Sequence, residues 1–313
     1  MILEVIKTIG LFLIAPGLLV TAAVGLFSTW IDRKVTARLQ YRIGPPWFQP
    51  FADVLKLMGK ETIVPEGGAR MVFIFAPIVG LAAVTLVSTI LWLLNLDRVG
   101  SFVGDLIVVI YLLTVPSIAL IVGGSASRNP LAALGASREM KLILAYELPF
   151  LLAIFTIIAK TGSILFSNIL SYQSTHGMLA ASLSGVLALG VSILVMQAKL
   201  GYVPFDMPEA EQELMGGPIV EYSGVLLGIF KVTKAMLLFT LPVFLITLFL
   251  GGIDILTIAG AGWFALKYVL LLVVIILIKN TNPRLRIDQA VRFFWGPVTV
   301  IATLALILAM IGW

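Results

Sequence analysis

Cysteine is absent from all 313 residues, and histidine occurs once, at His176. Without thiolates, this chain forms no disulfide, no thiolate metal site and no iron–sulfur ligation. A single imidazole in a polar loop leaves no ligand cluster for a metal. Charge is scarce as well: 12% of the residues are Asp, Glu, Lys or Arg, where soluble domains carry roughly 25%. No phosphate-cradling glycine loop, HExxH helix or nucleophile elbow falls on a suitable element, which excludes a soluble hydrolase, kinase or dehydrogenase. No basic run is interleaved with aromatics, so the net charge of +5 reflects topology and attraction to anionic lipid, not nucleic acid. Any electrons must be carried by a partner.

What is present is hydrophobic: 60% of the chain. Apolar runs long enough to cross a core of roughly 30 Å at about 1.5 Å per residue lie near residues 8–30, 71–95, 104–124, 143–160, 179–199, 220–249, 261–279 and 293–312. The expected fold is all-α, a polytopic membrane protein of about eight transmembrane helices forming one integral domain over 1–313. The first run has no basic leader and no small-residue cleavage site, and is read as a span, not a signal peptide. The polar loops 31–70, 125–142, 200–220 and 280–292, with Lys199 and Lys279 at their edges, hold fifteen of the 21 basic residues, the opposite side holds Lys7, Arg98 and Lys160, and Lys231, Lys234 and Lys267 fall within spans. The positive-inside rule then places the four loops in the cytoplasm and both termini outside a cell membrane. The two halves show no similarity that would indicate an inverted-repeat transporter.

The first loop is patterned. Gly44-Pro45-Pro46 breaks the chain, after which Phe51, Val54, Leu55 and Met58 recur at helical spacing opposite Asp53, Lys56 and Lys60, predicting an amphipathic helix in the interface plane. It either rests on lipid or walls an access or docking site. Pro77, Pro116, Pro149 and Pro242 fall inside predicted spans and are expected to kink them.

The acids sit where lipid would exclude them, at a cost of roughly 2.5 kcal/mol or more each. Asp206, Glu209, Glu211, Glu213 and Glu221 occupy the joint between spans five and six. Glu209 and Glu213, four apart, share a helical face, where like charges favour a shared proton; the competing reading is solvated loop acids. Glu147 lies about 9 Å of helix rise past Lys141, inside span four. Lys231 and Lys234, counted from Glu221, reach about 15 and 20 Å into span six, where desolvated amines exchange protons with carboxylates. Lys267 and Asp105, near the outer face, are open to either a structural or a functional reading.

Four segments, IDRKVTARLQYRIGPPWFQPFADVLKLMGKETIVP, LAALGASREMKLILAYELP, VPFDMPEAEQELMGGPIVEYSG and NTNPRLRIDQ, together resemble the cytoplasmic loops of the complex I membrane subunit that contacts the peripheral arm, the NADH dehydrogenase subunit 1 type. Equivalent subunits occur in energy-converting membrane-bound NiFe hydrogenases and archaeal sulfane reductase complexes. The resemblance implies a subunit that floors a quinone or quinone-like cavity and feeds an acidic channel. By position it assigns Glu147, Glu209, Glu211, Glu213 and Glu221 to the channel and Arg33, Arg38, Arg42 and Asp53 to the cavity mouth. It implies that Asp206 belongs to the loop facing the peripheral arm and that Arg138, Arg284 and Arg286 are cavity or docking residues. Lys234 stands where complex I relatives carry a further Glu, with Lys231 one turn before it. With the acidic loop and Pro45-Pro46, this resembles the hydrogenase branch more than the quinone-reducing one.

The expected role is a membrane-anchoring, ion-coupling subunit that binds no cofactor itself. Its expected partners are a hydrogenase-like large subunit, an iron–sulfur subunit with a NiFe-like site, antiporter-like membrane subunits and lipid. Quinone binding, a stand-alone cation transporter and a pure scaffold are the competing readings.

Overall fold

The apolar runs fold as helices because lipid leaves each backbone amide no partner outside its own helix. The computed structural model describes residues 9–96, 101–255 and 257–312; Lys7 and Arg98, two of the three basic residues on the sparse side, lie outside them. The helices are α1 (Leu18–Leu39), α2 (Gln49–Met58), α3 (Arg70–Asn95), α4 (Asp105–Leu112), α5 (Val115–Ala126), α6 (Pro130–Thr161), α7 (Phe166–His176), α8 (Leu183–Lys199), α9 (Gly224–Phe249), α10 (Ile258–Thr281), α11 (Ile287–Phe293) and α12 (Thr299–Ile311). A π-turn, Phe294–Val298, containing Pro297 joins α11 to α12. Among the described residues, seven helical stretches are long and apolar enough to cross a membrane, with α4–α5 and α11–α12 each forming one stretch. The eighth expected span is α8, only 17 residues or about 25 Å, preceded by a 3-10 turn over Leu179–Ala181.

Helix α9 is the axis. From Ala235 to Phe249 it carries no charged residue and is buried throughout. It packs against α1, α2, α3, α8 and α10. Its polar residues Thr233, Thr240 and Thr247 recur every seven positions, and each hydroxyl donates to the carbonyl four residues back, at 2.8, 2.8 and 2.9 Å. Each hydroxyl proton is thus spent within its own helix, and Thr247 Oγ1 alone of the three also accepts from a neighbour, Asn95 Nδ2 at 3.0 Å, so the surface presented is largely apolar. Where α1 crosses α9 the backbones nearly touch: a Cβ on Gly25 would lie 2.3 Å from the Ala235 carbonyl oxygen. Helix association in lipid depends on such close approach by small residues. Hydroxyl pairs tie α1 to the helices flanking that crossing, Thr21 to Ser88 of α3 at 2.5 Å and Ser28 to Tyr268 of α10 at 2.6 Å.

Several expectations shift. Pro116 does not kink a continuous span; it stands in the first turn of α5 after a break at Leu113–Thr114, where its missing N–H is tolerated. The loop drawn as 125–142 shrinks to Ser127–Asn129, and the remainder opens α6, with Asn129 Oδ1 accepting from the Leu131 amide at 2.8 Å. At 32 residues, or about 48 Å, α6 exceeds the hydrocarbon core by about 18 Å, so its first turns project beyond lipid. The loop drawn as 280–292 likewise narrows to 282–286 between α10 and α11. In α2 the buried face is Pro50, Val54 and Leu57, while Leu55 and Met58 look outward. That helix packs sideways on α9 and α1 instead of hiding its whole apolar side. Asp105 takes a structural part: its carboxylate accepts from the Leu106 and Phe166 amides and from Ser101. Lys267 donates to the Leu250 carbonyl at the end of α9.

Replacing Gly25 by Ala is expected to destabilise the folded subunit by about 1–3 kcal/mol, the cost of overpacking a tight site. Gly262, whose Cβ would meet nothing within 4 Å, accepts Ala without loss. Thermal unfolding of the two variants in detergent distinguishes them; equal melting temperatures would contradict the α1–α9 crossing.

Candidate functional site

Four polar segments meet at one end of the bundle. The Ala69 amide donates to the Ala126 carbonyl at 3.1 Å and Leu285 to Pro204 at 3.1 Å. Ile63 donates to the Ser223 hydroxyl at 3.0 Å, and Arg138 to the Met207 carbonyl at 3.4 Å. The central piece is the acidic segment after α8. A 3-10 turn, Met207–Glu209, is broken at Ala210 (ψ 103°), a single helical turn follows over Glu211–Leu214, and Met215, Gly216 and Gly217 take φ of 52°, 105° and 56°. Pro218 then seats against α5 and α6; a Cβ on Gly135 would stand 2.6 Å from the Pro218 Cδ.

This geometry separates the acids that spacing had placed together. Glu209 and Glu213 do not share a face, because the break at Ala210 turns the chain between them, and each meets its own cation. Glu209 pairs with Lys234 at 2.6 Å inside the fold, whereas Glu213 pairs with Arg138 at 2.5 Å on the exposed side. Asp206 pairs with Arg284 at 2.8 Å, its second oxygen buried without a hydrogen-bond partner among the described residues. Glu221 stands apart, accepting from Asn129 Nδ2 at 2.5 Å. Glu147, in α6, pairs with Lys199 at 3.3 Å. Lys231 and Lys234 lie about 10 and 15 Å along α9, shallower than expected, because the helix starts at Gly224 and the residues before it run across the bundle end.

An inner cavity of about 270 Å³ gathers Glu209, Glu211, Lys231 and Lys234 beneath Asp206, together with two residues that sequence reasoning had left in loops, Glu139 and Lys199. Glu139 is 6% exposed, with Ser117 beside it. Lys199 has a side chain 2% exposed, and its ammonium lies 4.9 Å from the Tyr146 and Phe150 ring centres. Periodicity holds the signal for both. Ala132, Gly135, Ala136, Glu139, Leu142, Ala145, Tyr146 and Pro149 form one buried stripe of α6, and Ala188, Ser192, Val195 and Lys199 one of α8. Each charge completes an otherwise apolar helical face.

A second cavity, about 290 Å³, opens on the loop side between Arg138, Asp206, Glu213, Arg284, Arg286 and Asp288. Asp206 therefore separates the inner cavity from the outer one. A third, about 270 Å³, lies between α1, α2 and α9 and holds Asp32, Arg33, Asp53, Lys231, Lys234 and Lys279. Asp32, 3% exposed and not anticipated as a site residue, pairs with Lys279 at 2.6 Å; Arg33 pairs with Asp53 at 2.8 Å. The Tyr202 ring faces the ammoniums of Lys279 at 4.7 Å and Lys234 at 5.6 Å. Arg38 and Arg42 are exposed and line none of these three cavities. His176 stacks on Tyr172 at 4.3 Å, and no group of three metal-ligating residues occurs among the described residues.

An all-helical membrane subunit with ion-paired cavities under one polar end is thus defined. The family model for NADH dehydrogenase matches residues 11–310, and the chain belongs to that family. It is 33% identical to the H-type membrane subunit of NADH-quinone oxidoreductase from Thermomicrobium roseum, covering 89% of this chain and 88% of that protein. Identity to the equivalent protein from Geobacillus kaustophilus is 31%, covering 94% and 92%. Among solved structures it superposes on a chain of the membrane-bound sulfane sulfur reductase, an archaeal respiratory membrane complex, with a TM-score of 0.86 and 34% identity, covering 93% of this chain and 96% of that one.

The loop carboxylates differ electrostatically. The hydrogen bond from Arg33 holds Asp53 below the ordinary carboxylate range, and that from Arg138 does the same for Glu213. What these two contribute to stability is present above the ordinary carboxylate value and fades as pH falls through the lowered one. Asp206 is the reverse: burial pushes it up, and Arg284 only partly opposes this. Its contribution is full below the ordinary value and is lost as pH rises through the raised one. Arg284→Gln should therefore melt nearer to wild type at about pH 4.5 than at about pH 7.5, where an unopposed carboxylate is costly. Adding Asp206→Asn should abolish that pH dependence; a deficit independent of pH would contradict the assignment.

Proposed function

We propose that this chain, a membrane subunit of a respiratory complex, anchors a peripheral electron-transfer module on its joined loops and couples that module to ion movement through its own charged interior. The observation that carries the reading is an alternation of acid and amine from loop to interior: Glu209 with Lys234, then Glu139, then Lys199 with Glu147. In a medium of low dielectric the charge on each such group is set by its neighbours. Neutralising Glu209 would leave Lys234 facing Glu139 alone, and the disturbance would pass by way of Lys199 to Glu147. A shift of the segment 201–217, driven by electron transfer in the docked module, is the proposed input. Glu213, Arg138, Arg284 and Arg286 form the docking side of that segment and Asp206 its barrier; Glu221, held by Asn129, acts as a support.

The module would consist of a hydrogenase-like large subunit and an iron–sulfur subunit, which hold the clusters and a NiFe-like site, with antiporter-like membrane subunits completing the route for protons or sodium. The basic loops would face the cytoplasm of a cell membrane, with both termini outside. This reading is supported by the likeness to the sulfane sulfur reductase complex.

The names of the bacterial relatives favour quinone binding. The charged part of the site disfavours it. The cavity beside Arg33 and Asp53 sets four cations and two carboxylates beside the apolar Leu26, Val54 and Ala235, and an uncharged ring seated among the charges would strip water from them without replacing it.

In the intact complex reconstituted in liposomes, Glu139→Gln should leave electron transfer by the peripheral module within about two-fold of wild type and lower ion movement at least ten-fold, the scale of removing one transfer group. Equal loss of both would overturn the relay. Ion transport by this chain alone would establish a stand-alone transporter instead.

A further inference from the structure

We propose that the third cavity binds an acidic phospholipid, its anionic headgroup on Lys231 and its acyl chain against Leu26, Val54 and Ala235. The charge balance points to an anion. Arg33, Lys231, Lys234 and Lys279 meet only Asp32 and Asp53 around this cavity. Arg33, Lys279 and Lys234 are committed to Asp53, Asp32 and Glu209. Lys231 has no ion pair among the described residues and is exposed.

The polarity is graded in the direction that a lipid leaflet requires. Helices α1 and α9 run antiparallel. Going inward along α1, Arg33 and Asp32 come before Leu26, about 9 Å deeper; along α9, Lys231 comes before Lys234 and Ala235. Leu26, Val54 and Ala235 form a small apolar cluster with Phe51 and Val232 against it. The unpaired cation Lys231 and the Arg33–Asp53 pair thus lie nearer the polar end than Leu26 and Ala235, and the one charge at the depth of Ala235, Lys234, is neutralised by Glu209. Beside the cavity, α2 turns Leu55 and Met58 outward, 68% and 55% exposed, as expected of a helix lying in the interface. A free anion would use the charged end and leave the apolar end unexplained; a neutral amphiphile would do the converse. An acidic lipid satisfies both.

The test uses the purified, delipidated complex titrated with spin-labelled phosphatidylglycerol or phosphatidylcholine, reading the immobilised fraction. Phosphatidylglycerol should bind about five-fold more tightly, the effect of about one basic residue near a membrane surface. Lys231→Gln should remove the preference. Lys231→Arg and Lys56→Gln, the latter on the exposed side of α2, should keep it. Equal binding of the two lipids, or a preference that survives Lys231→Gln, would overturn the proposal. Displacement of phosphatidylglycerol by millimolar inorganic phosphate would overturn it in favour of a headgroup-only anion site. Displacement by a neutral short-chain quinone, with affinity unchanged by Lys231→Gln, would overturn it in favour of a quinone. The readout is binding rather than turnover, so its failure leaves the ion-coupling reading untouched.

Discussion

The pairing of Glu209 with Lys234 turns a surface segment into the roof of a cavity. One partner belongs to a 3-10 turn outside the bundle, the other to the helix about which the rest of the fold is arranged. That cation gives the segment a charged reason to fold inward over Glu139 and Lys199. With it, charges that lipid would reject are enclosed by protein, and each is left with a partner or with water-sized space beside it. Two ion pairs at the same end, Arg138–Glu213 and Arg284–Asp206, hold the outer side of the roof. The inner pair faces the bundle and the outer pairs face away from it, so one short segment carries charge on two sides.

The apolar architecture explains why the charges can be so concentrated. Lipid-facing helices need neither close packing nor polar partners, whereas α9 satisfies its threonines internally and its neighbours approach to backbone contact at Gly25. The ion-paired and buried charges of the inner cavity are gathered near the first turns of α9, along the first half of α6 and at the end of α8. The length mismatch between α6, at 32 residues, and α8, at 17, staggers those ends. Glu147 and Lys199 thereby come level across the two helices.

Hydropathy made the membrane spans legible, and the loop motifs made the family legible. The site was legible only in part. Windows that average charge assigned Glu139 to a cytoplasmic loop because Arg138 and Lys141 flank it, although those neighbours point to other faces of the same helix. Asp32 was hidden in the same way beside Arg33 and Lys34. Counting along the helix face instead of along the chain recovers Glu139 and Lys199. The separation of Glu209 from Glu213 was not legible, since it depends on the backbone turning at Ala210 and on cations contributed by α6 and α9, far away in sequence. The depth of Lys231 and Lys234 was misjudged for a related reason: sequence distance equals axial distance only where the chain is already helical.

The contact between Gly135 and Pro218 has a mechanical consequence. With no room for even a methyl group there, the roof is clamped at its C-terminal end against α6, and the Leu285 amide on Pro204 and Arg284 on Asp206 tie its N-terminal part, whereas Glu211, Gln212 and Glu213 between them are exposed. A strap held at both ends and bare in the middle does not lift away; it flexes at its bends, here the break at Ala210 and the left-handed run Met215–Gly217.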